Sequence, residues 1–227
     1  MKLMLINNLI INIIESNKHS LFYRNKYKNK NKCHTHSLIF NTFMVQLIIM
    51  DKTNQQFDHI ISICHEVFMK KMKDYGTAWR ILRPTSMTDQ IYIKAQRIRS
   101  IEEKGVARID EDAQAEFIGI INYCAMALIQ LELGPSDDEL QPDVTEQKYM
   151  DNLLKAKNLM LAKNHDYGEA WRQMRISSYT DLILMKIKRT KQIEDNLGIA
   201  NYSEGVDANY LDMINYAIFG LIKLEFE

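Results

Sequence analysis

The sequence predicts an all-α protein made of two tandem three-helix repeats that pack as a pseudo-two-fold helical bundle. Only 8 Gly and 3 Pro occur in 227 residues, which disfavours a turn-rich β-sandwich. Apolar side chains recur at helical spacing, and no period-2 run of useful length appears. The second half of the chain also repeats the first, and this repeat decides the architecture.

Residues 1–49 differ in composition from the rest of the chain. They hold six Lys and one Arg against one acid, and no Gly, Ala, Pro, Asp or Trp. We expect a disordered or mis-annotated extension read from a start upstream of Met50, with a flexible basic arm or a targeting segment as the alternatives. Cys33, His34 and His36 lack a fourth ligand at a regular spacing, so no metal site is expected there.

The remaining 178 residues carry a net charge of −6, which argues against binding nucleic acid through bulk electrostatics. No stretch approaches about 18 uninterrupted apolar residues, so we expect no membrane-spanning helix and no membrane partner. The chain has three cysteines and no CxxC motif, which is typical of a reducing compartment. We therefore expect a cytoplasmic protein.

A shift of 92 positions brings one motif onto a second copy of itself. It superposes Asp74-Tyr75-Gly76-Thr77-Ala78-Trp79-Arg80 on Asp166-Tyr167-Gly168-Glu169-Ala170-Trp171-Arg172. One inserted residue later, Ile121-Asn122-Tyr123 matches Ile214-Asn215-Tyr216. Copy one thus spans 51–132, a Gly-Pro-containing linker spans 133–142, and copy two spans 143–227.

The first helix of each copy is predicted from about Asn54 to Lys73 and from Glu146 to His165. Thr53 and Thr145 are the predicted N-caps. Glycine directly follows the motif tyrosine in both copies, and Gly76 and Gly168 are predicted to end the helices with left-handed backbone.

The second helix is predicted to open at a capping box, where Ser is followed by Asp three residues later. These boxes are Ser86 to Asp89 and Ser178 to Asp181, and the helices run to about Glu103 and Asp195. The third helix covers about Asp112 to Glu132 in copy one and Val206 to Glu225 in copy two.

Each second helix carries a Lys and an Arg at i, i+3, which places both side chains on one face. These pairs are Lys94 with Arg97 and Lys186 with Arg189. They fit a phosphate clamp, because Arg offers a planar fork and Lys a mobile charge. The alternative is a solvated helix face with salt bridges to neighbouring acids.

The third helix carries an acid and an amide that suit a divalent ion or a base edge. In copy two Asp212 lies three residues before Asn215 and beside Tyr216. Copy one has Gly119 in place of the aspartate, and its acid, Glu116, comes one turn earlier. The two sites are therefore unequal, and we expect copy two to be the ligand-binding half.

The aromatic repeats leave two interpretations open. Trp79 and Trp171 fit either core anchors or surfaces that stack on a flat ligand. The repeated tyrosines fit either packing or a pocket wall, and they are Tyr75, Tyr167, Tyr123 and Tyr216.

The pattern K-x-x-DYG-x-AWR, then S-x-T-D, K-x-x-R and a late I-N-Y, resembles the nucleotide modification associated domain, type 1, formerly a domain of unknown function. That family occurs in Bacteroidetes genomes and phages. The resemblance covers nearly all of 51–225 and implies an all-α domain linked to making or handling modified nucleotides. The resemblance implies a functional role for the residues that match the family's motif and for their equivalents in copy two. In copy one these residues are Asp74, Tyr75, Gly76, Trp79, Arg80, Asp89, Lys94, Arg97 and Asn122.

A looser resemblance is to MazG-like all-α pyrophosphohydrolases, in which helical carboxylates hold Mg²⁺. Those enzymes use an E-x-x-E pair on one helix and an E-x-x-D pair on the next, where this chain offers K-x-x-R and, in copy two alone, Asp212-x-x-Asn215. We therefore expect a protein that binds a nucleotide-like small molecule, with Arg80 and Arg172 assisting. A Mg²⁺-dependent phosphohydrolase is one alternative, with metal ligands drawn from Asp212, Glu204, Asp207, Glu111 and Glu116. A non-enzymatic helical interaction module is the other.

Overall fold

The computed structural model describes residues 30–105, 112–196 and 204–227, with side chains from Lys52 onward. These described residues form six α-helices and no strand, which confirms the predicted all-α class. The helices are α1 (Lys30–Tyr75), α2 (Pro84–Lys104), α3 (Ala113–Leu133), α4 (Pro142–Tyr167), α5 (Ile176–Asp195) and α6 (Val206–Phe226). A short 3-10 turn joins the first two helices of each copy, at Ala78–Ile81 and Ala170–Gln173.

The chain divides into two units, Met1–Met50 and Asp51–Glu227, and the second unit contains both copies of the repeat. Three predictions concern parts that lie outside the described residues. They are the nature of residues 1–29, the side chains of Cys33, His34 and His36, and the role of Glu111.

The first helix of each copy begins earlier than predicted. α1 starts at Lys30 rather than near Asn54, so Thr53 lies within the helix and is not its N-cap. α4 starts at Pro142, and the Thr145 hydroxyl donates back to the carbonyl oxygen of the residue before the helix, over 2.9 Å. Proline suits the first helical position because its φ is already helical and its missing N–H would have no partner there.

The predicted capping boxes are also wrong. α2 begins at Pro84 and α5 at Ile176, which puts Ser86 and Ser178 inside the first turn. The residue before each helix is an arginine with extended backbone and no side-chain capping bond. Proline again fixes the start of α2, so its first turn needs no serine cap.

Other predicted helix ends are confirmed. Gly76 and Gly168 follow α1 and α4 directly, with φ of 57° and 61°, values that side chains disfavour. The ψ of Gly168 is −153°, however, so its backbone is not in the left-handed helical region that was predicted. The Asp112 side chain caps α3 by accepting a hydrogen bond from the backbone N–H of Ala115, over 3.1 Å. α6 begins at Val206, as expected.

α3 and α6 pack against each other at the centre of Asp51–Glu227, and each also packs on the second helix of its own copy. The helices approach closely where Gly220 faces Phe117, because an added Cβ would lie 3.0 Å from the phenyl ring. α3 is long and apolar enough to cross a membrane, but 67% of that segment is buried inside the bundle. This burial is typical of a central core helix.

Equivalent residues make equivalent bonds where α2 and α5 pack together. The Thr88 hydroxyl donates to the Glu194 carboxylate over 2.7 Å. Ninety-two residues later, the Thr180 hydroxyl donates to Glu102 over 2.9 Å. Each copy thus supplies the acceptor for the other, which fits the predicted pseudo-two-fold bundle.

Candidate functional site

A cavity of about 340 Å³ lies in copy one, between α1, the first 3-10 turn, α2 and α3. Its volume is within the range of small-molecule sites. Its lining joins aromatic and aliphatic side chains to two lysines and one acid. The lining residues used below are Lys71, Tyr75, Trp79, Lys94, Glu116, Gly119, Asn122, Tyr123 and Met126. The cavity is therefore in the copy that the sequence analysis expected to be the lesser half.

Lys94 and Arg97 share one face of α2, as predicted, and both bind Glu116. The Lys94 Nζ lies 3.2 Å from one carboxylate oxygen, and the Arg97 Nη1 lies 2.6 Å from the other. Glu116 is buried, with 2% of its side chain exposed. Lys94 lines the cavity, with its Nζ 5.9 Å from the Tyr123 ring centroid, whereas Arg97 lies outside the lining.

In copy two the carboxylate of Asp212 pairs with two lysines, Lys186 and Lys163. Its carboxylate lies 2.6 Å from the Lys186 Nζ and 2.5 Å from the Lys163 Nζ. Burial alone lowers the pKa of Lys163, but the hydrogen bond and charge of Asp212 outweigh it and raise the pKa. Arg189, the other half of the predicted clamp, is half-buried near Tyr216. The predicted copy-two phosphate site is therefore filled by a carboxylate of the chain itself.

The two carboxylates predicted as metal ligands, Asp212 and Glu116, are each bound by two cations. Across residues 52–105, 112–196 and 204–227, no three His, Cys, Asp or Glu side chains come together as a metal cluster. Glu204 lies 3.9 Å from Lys186, and Asp207 is exposed in the first turn of α6. Mg²⁺ binding stays a prediction.

The two tryptophans have different surroundings. Trp171 is buried and stacks on Phe219, with ring centroids 4.2 Å apart and planes 9° apart. Trp79 is half-buried and lines the cavity. Met126, which also lines the cavity, occupies the position equivalent to Phe219. The core interpretation therefore holds for Trp171, whereas stacking of Trp79 on a flat ligand stays a prediction.

Both repeated asparagines anchor the first helix of their copy to the third. Asn122 donates to the carbonyl oxygen of Cys64 over 3.4 Å, and Asn215 donates to that of Ala156 over 3.0 Å. The Asn122 side-chain oxygen also accepts a bond from the Tyr149 hydroxyl, over 2.7 Å. Asn215 therefore has a structural role, while Asn122 combines this role with a place in the cavity lining.

Arg80 and Arg172 hold the 3-10 turns and lie outside the cavity lining, and their assistance to a ligand stays a prediction. Arg80 is buried and donates to Gln130, whose amide donates back to the Arg80 carbonyl oxygen over 2.8 Å. Arg172 binds Thr53 over 2.7 Å and Gln56 over 2.6 Å. Both guanidinium groups are thus occupied in joining elements of the fold.

Asp89 and Asp181 were predicted as ligand-binding residues, but they lie at the interface of the two copies. Asp89 forms a 2.5 Å ion pair with Lys191, and Asp181 pairs with Arg99 at the equivalent position. Both carboxylates are exposed. Their repetition reflects the symmetric contact between α2 and α5.

The remaining motif residues divide between cavity and surface. Tyr75 lines the cavity and is 71% exposed, whereas the equivalent Tyr167 is 77% exposed at the end of α4. Asp74 and Asp166 are exposed, and neither belongs to the cavity lining. Tyr216 is half-buried and packs against the core.

Among the cavity residues that were not predicted as site residues, Lys71, Gly119 and Met126 matter for the argument below. Lys71 was visible as a repeated position, because it aligns with Lys163. Gly119 and Met126 were visible as positions where the copies differ. The difference at Gly119 was interpreted as a missing acid, although it also lets the end of the Lys94 side chain lie over the glycine.

Fold and site together define a duplicated all-α protein with a ligand-sized cavity in its first copy. A family model described as nucleotide modification associated domain 1 matches residues 71–131 and again residues 163–224. The chain therefore belongs to this family and carries its domain twice. No curated protein and no solved structure matches the chain.

Proposed function

We propose that this protein binds a nucleotide or modified nucleotide in the copy-one cavity, as part of nucleotide modification or metabolism in the cytoplasm. The proposal rests on one observation: aromatic side chains and two lysines line the same cavity of about 340 Å³. The family's link to nucleotide modification supports the same class of ligand.

The lining offers a partner for each end of a nucleotide. Trp79 and Tyr123 present aromatic rings, on which a base stacks favourably. Lys71 and Lys94 present ammonium groups to a phosphate. Glu116 does not cancel their charge, because Arg97 shares its carboxylate.

The Mg²⁺-dependent phosphohydrolase remains the second candidate, but the copy-one cavity gives it little support. Its lining contains one carboxylate, Glu116, and that group already accepts bonds from two cations. Metal-activated hydrolysis needs open coordination positions on acidic ligands. The interaction-module alternative suits Asp89 and Asp181, which join the two copies, rather than the cavity.

The test is isothermal titration of the full chain with common nucleosides and their 5′-monophosphates, with and without Mg²⁺. We expect saturable binding of at least one compound without Mg²⁺. Tyr75→Leu should weaken it, whereas the matched Tyr167→Leu should not, because both tyrosines are exposed but only Tyr75 lines the cavity. Phosphate release that requires Mg²⁺ would favour the hydrolase instead.

Two results would contradict the proposal. The first is the absence of binding for every compound in the panel. The second is equal weakening by Tyr75→Leu and Tyr167→Leu, since a ligand in the copy-one cavity would contact only the first tyrosine. Thermal unfolding of both variants controls for loss of structure.

A further inference from the structure

The two lysines that line the cavity have equivalents in copy two that hold an anion. Lys71 corresponds to Lys163, and Lys94 corresponds to Lys186. In copy two both ammonium groups converge on the carboxylate of Asp212, at 2.5 Å and 2.6 Å. In copy two, a carboxylate of the chain thus lies between the two lysine ammonium groups.

The position equivalent to Asp212 in copy one is Gly119, which has no side chain. Gly119 lines the cavity, and the flexible end of the Lys94 side chain lies over it, because a Cβ added there would be 2.5 Å from the Lys94 Cε and 2.9 Å from its Nζ. Copy one therefore keeps both lysines without an acid at this position, and its own acid, Glu116, lies one turn earlier and is shared between Lys94 and Arg97. A negatively charged group of a ligand placed beside Gly119 contacts Lys94 directly, and Lys71 lines the same cavity.

The residue that packs on the motif tryptophan also differs between the two copies. In copy two the Phe219 ring lies flat on Trp171, at a centroid distance of 4.2 Å. In copy one the equivalents, Met126 and Trp79, both line the cavity. The ring that covers the tryptophan in copy two is thus missing from copy one. A flat ring of a ligand fits that place.

We infer that copy two fills with its own side chains the site that a nucleoside monophosphate occupies in copy one. The phosphate lies over Gly119 between Lys71 and Lys94, and the base lies on Trp79 beside Met126. This inference rests on the proposed function and deepens it by naming the ligand class and its orientation.

The spacing and the charge of the cavity both suit a monophosphate. Gly119 and Met126 are seven residues apart on α3, which is two helical turns or about 10 Å. That separation suits a molecule with its ring and its anion at opposite ends. Among the described lining residues, Lys71 and Lys94 are the cations, which match one phosphate better than the higher charge of a triphosphate.

The decisive experiment places the copy-two anion in copy one. Gly119→Asp and the neutral, isosteric Gly119→Asn are titrated with the 5′-monophosphates of adenosine, guanosine, cytidine, uridine and thymidine, and with the nucleosides. In the wild type we expect a monophosphate to bind at least about tenfold more tightly than its nucleoside, from one charge-assisted hydrogen bond or more. In Gly119→Asp the monophosphate and its nucleoside should bind with nearly equal affinity, while Gly119→Asn should keep most of the preference for the monophosphate.

The aromatic half is tested with Met126→Phe, which copies the Phe219 stack. We expect it to weaken nucleoside and monophosphate alike by about tenfold or more, because aromatic stacking on a base contributes on the order of 1–3 kcal/mol. Gly119→Asp and Met126→Phe should keep an unfolding midpoint close to that of the wild type, since copy two holds Asp and Phe at these positions in a folded arrangement. In Gly119→Asp the flexible end of Lys94 has to move aside, because an added Cβ would lie 2.5 Å from its Cε.

The outcomes separate this inference from the function on which it rests. If the wild type binds no member of the panel, the proposed function fails. If it binds but Gly119→Asp leaves the monophosphate-to-nucleoside ratio unchanged, the phosphate position is wrong and nucleotide binding stands. Equal loss in Gly119→Asp and Gly119→Asn would also overturn the phosphate position, because it shows that volume rather than charge is responsible.

Discussion

The Thr88 hydroxyl donates a hydrogen bond to the Glu194 carboxylate across the interface of the two copies, over 2.7 Å. Burial raises the pKa of Glu194 and outweighs the lowering by the bonds from Thr88 and Tyr210. Nearby Asp89 raises it further, while Lys191 lowers it. Burial raises the pKa of the equivalent Glu102 in the same way.

These two glutamates predict how stability depends on pH. Because their pKa values are higher in the folded protein, the folded state binds more protons between the ordinary pKa of 4.5 and the raised values. Their contribution to stability is therefore complete below 4.5 and declines as the pH rises through that window. The double variant Glu102→Gln, Glu194→Gln should lack this decline.

Thermal unfolding of the double variant and the wild type at several pH values between 4 and 7 measures this effect. We expect the midpoint of the variant to rise relative to that of the wild type as the pH increases. A constant difference between the two midpoints would show that neither carboxylate has a raised pKa in the folded protein.

A second prediction reverses the roles that the sequence analysis gave to the lysines. Lys186→Met should lower the free energy of unfolding by about 3 kcal/mol, because it removes a buried partner from Asp212. Lys94→Met should cost far less, because Lys94 is partly exposed and Glu116 keeps Arg97. It should instead weaken binding of a monophosphate by about 2 kcal/mol.

Urea denaturation and titration calorimetry on the same two preparations measure both effects. Lys155→Met, a lysine outside the cavity, controls for the loss of a positive charge. If Lys186→Met weakened nucleotide binding in a fully stable protein, the ligand site would belong to copy two after all.

A third prediction concerns the tryptophans. Trp171→Ala should cost about 3–5 kcal/mol, because the buried ring stacks on Phe219 and its removal leaves a cavity. Trp79→Ala should cost less, since one side of that ring already faces the copy-one cavity. Denaturant unfolding followed by circular dichroism compares them. Equal costs would mean that Trp79 is a core anchor too.

A fourth prediction is that removal of residues 1–49 leaves the midpoint of thermal unfolding unchanged within a degree or two. Both copies of the repeat, with the cavity and the interface pairs described above, lie in the unit Asp51–Glu227. Differential scanning calorimetry of the truncated and full chains tests this. A loss of several degrees would make the removed segment part of the folded domain.

The sequence predicted the helices and the duplication because both depend on local spacing and on a direct repeat. It misplaced the starts of the first and second helices of both copies, where the predicted Thr and Ser caps are not used. Pro84 and Pro142 set the first turns of α2 and α4. It also included Asp89 among the ligand residues, since repetition does not distinguish a binding site from a symmetric interface.

The sequence analysis and the proposed site favour different copies, and this difference has a physical reason. Asp212 looked like the more complete site, because an acid beside an amide suggests a metal. Only the folded chain shows that Lys163 on α4, 49 residues earlier in the sequence, binds the Asp212 carboxylate as well. The proposed site depends on the smaller residue, Gly119, and only the folded chain shows that the Lys94 side chain lies over it.

The Thr88–Glu194 and Thr180–Glu102 pairs join two halves that belong to one polypeptide. Two separate chains with the same contacts would come apart on dilution, whereas the linker keeps these halves at a high effective concentration at any protein concentration. The tether also removes the requirement that both halves stay identical. A substitution such as glycine for aspartate affects one half at a time, so one half can retain an open cavity while the other becomes a rigid support for it.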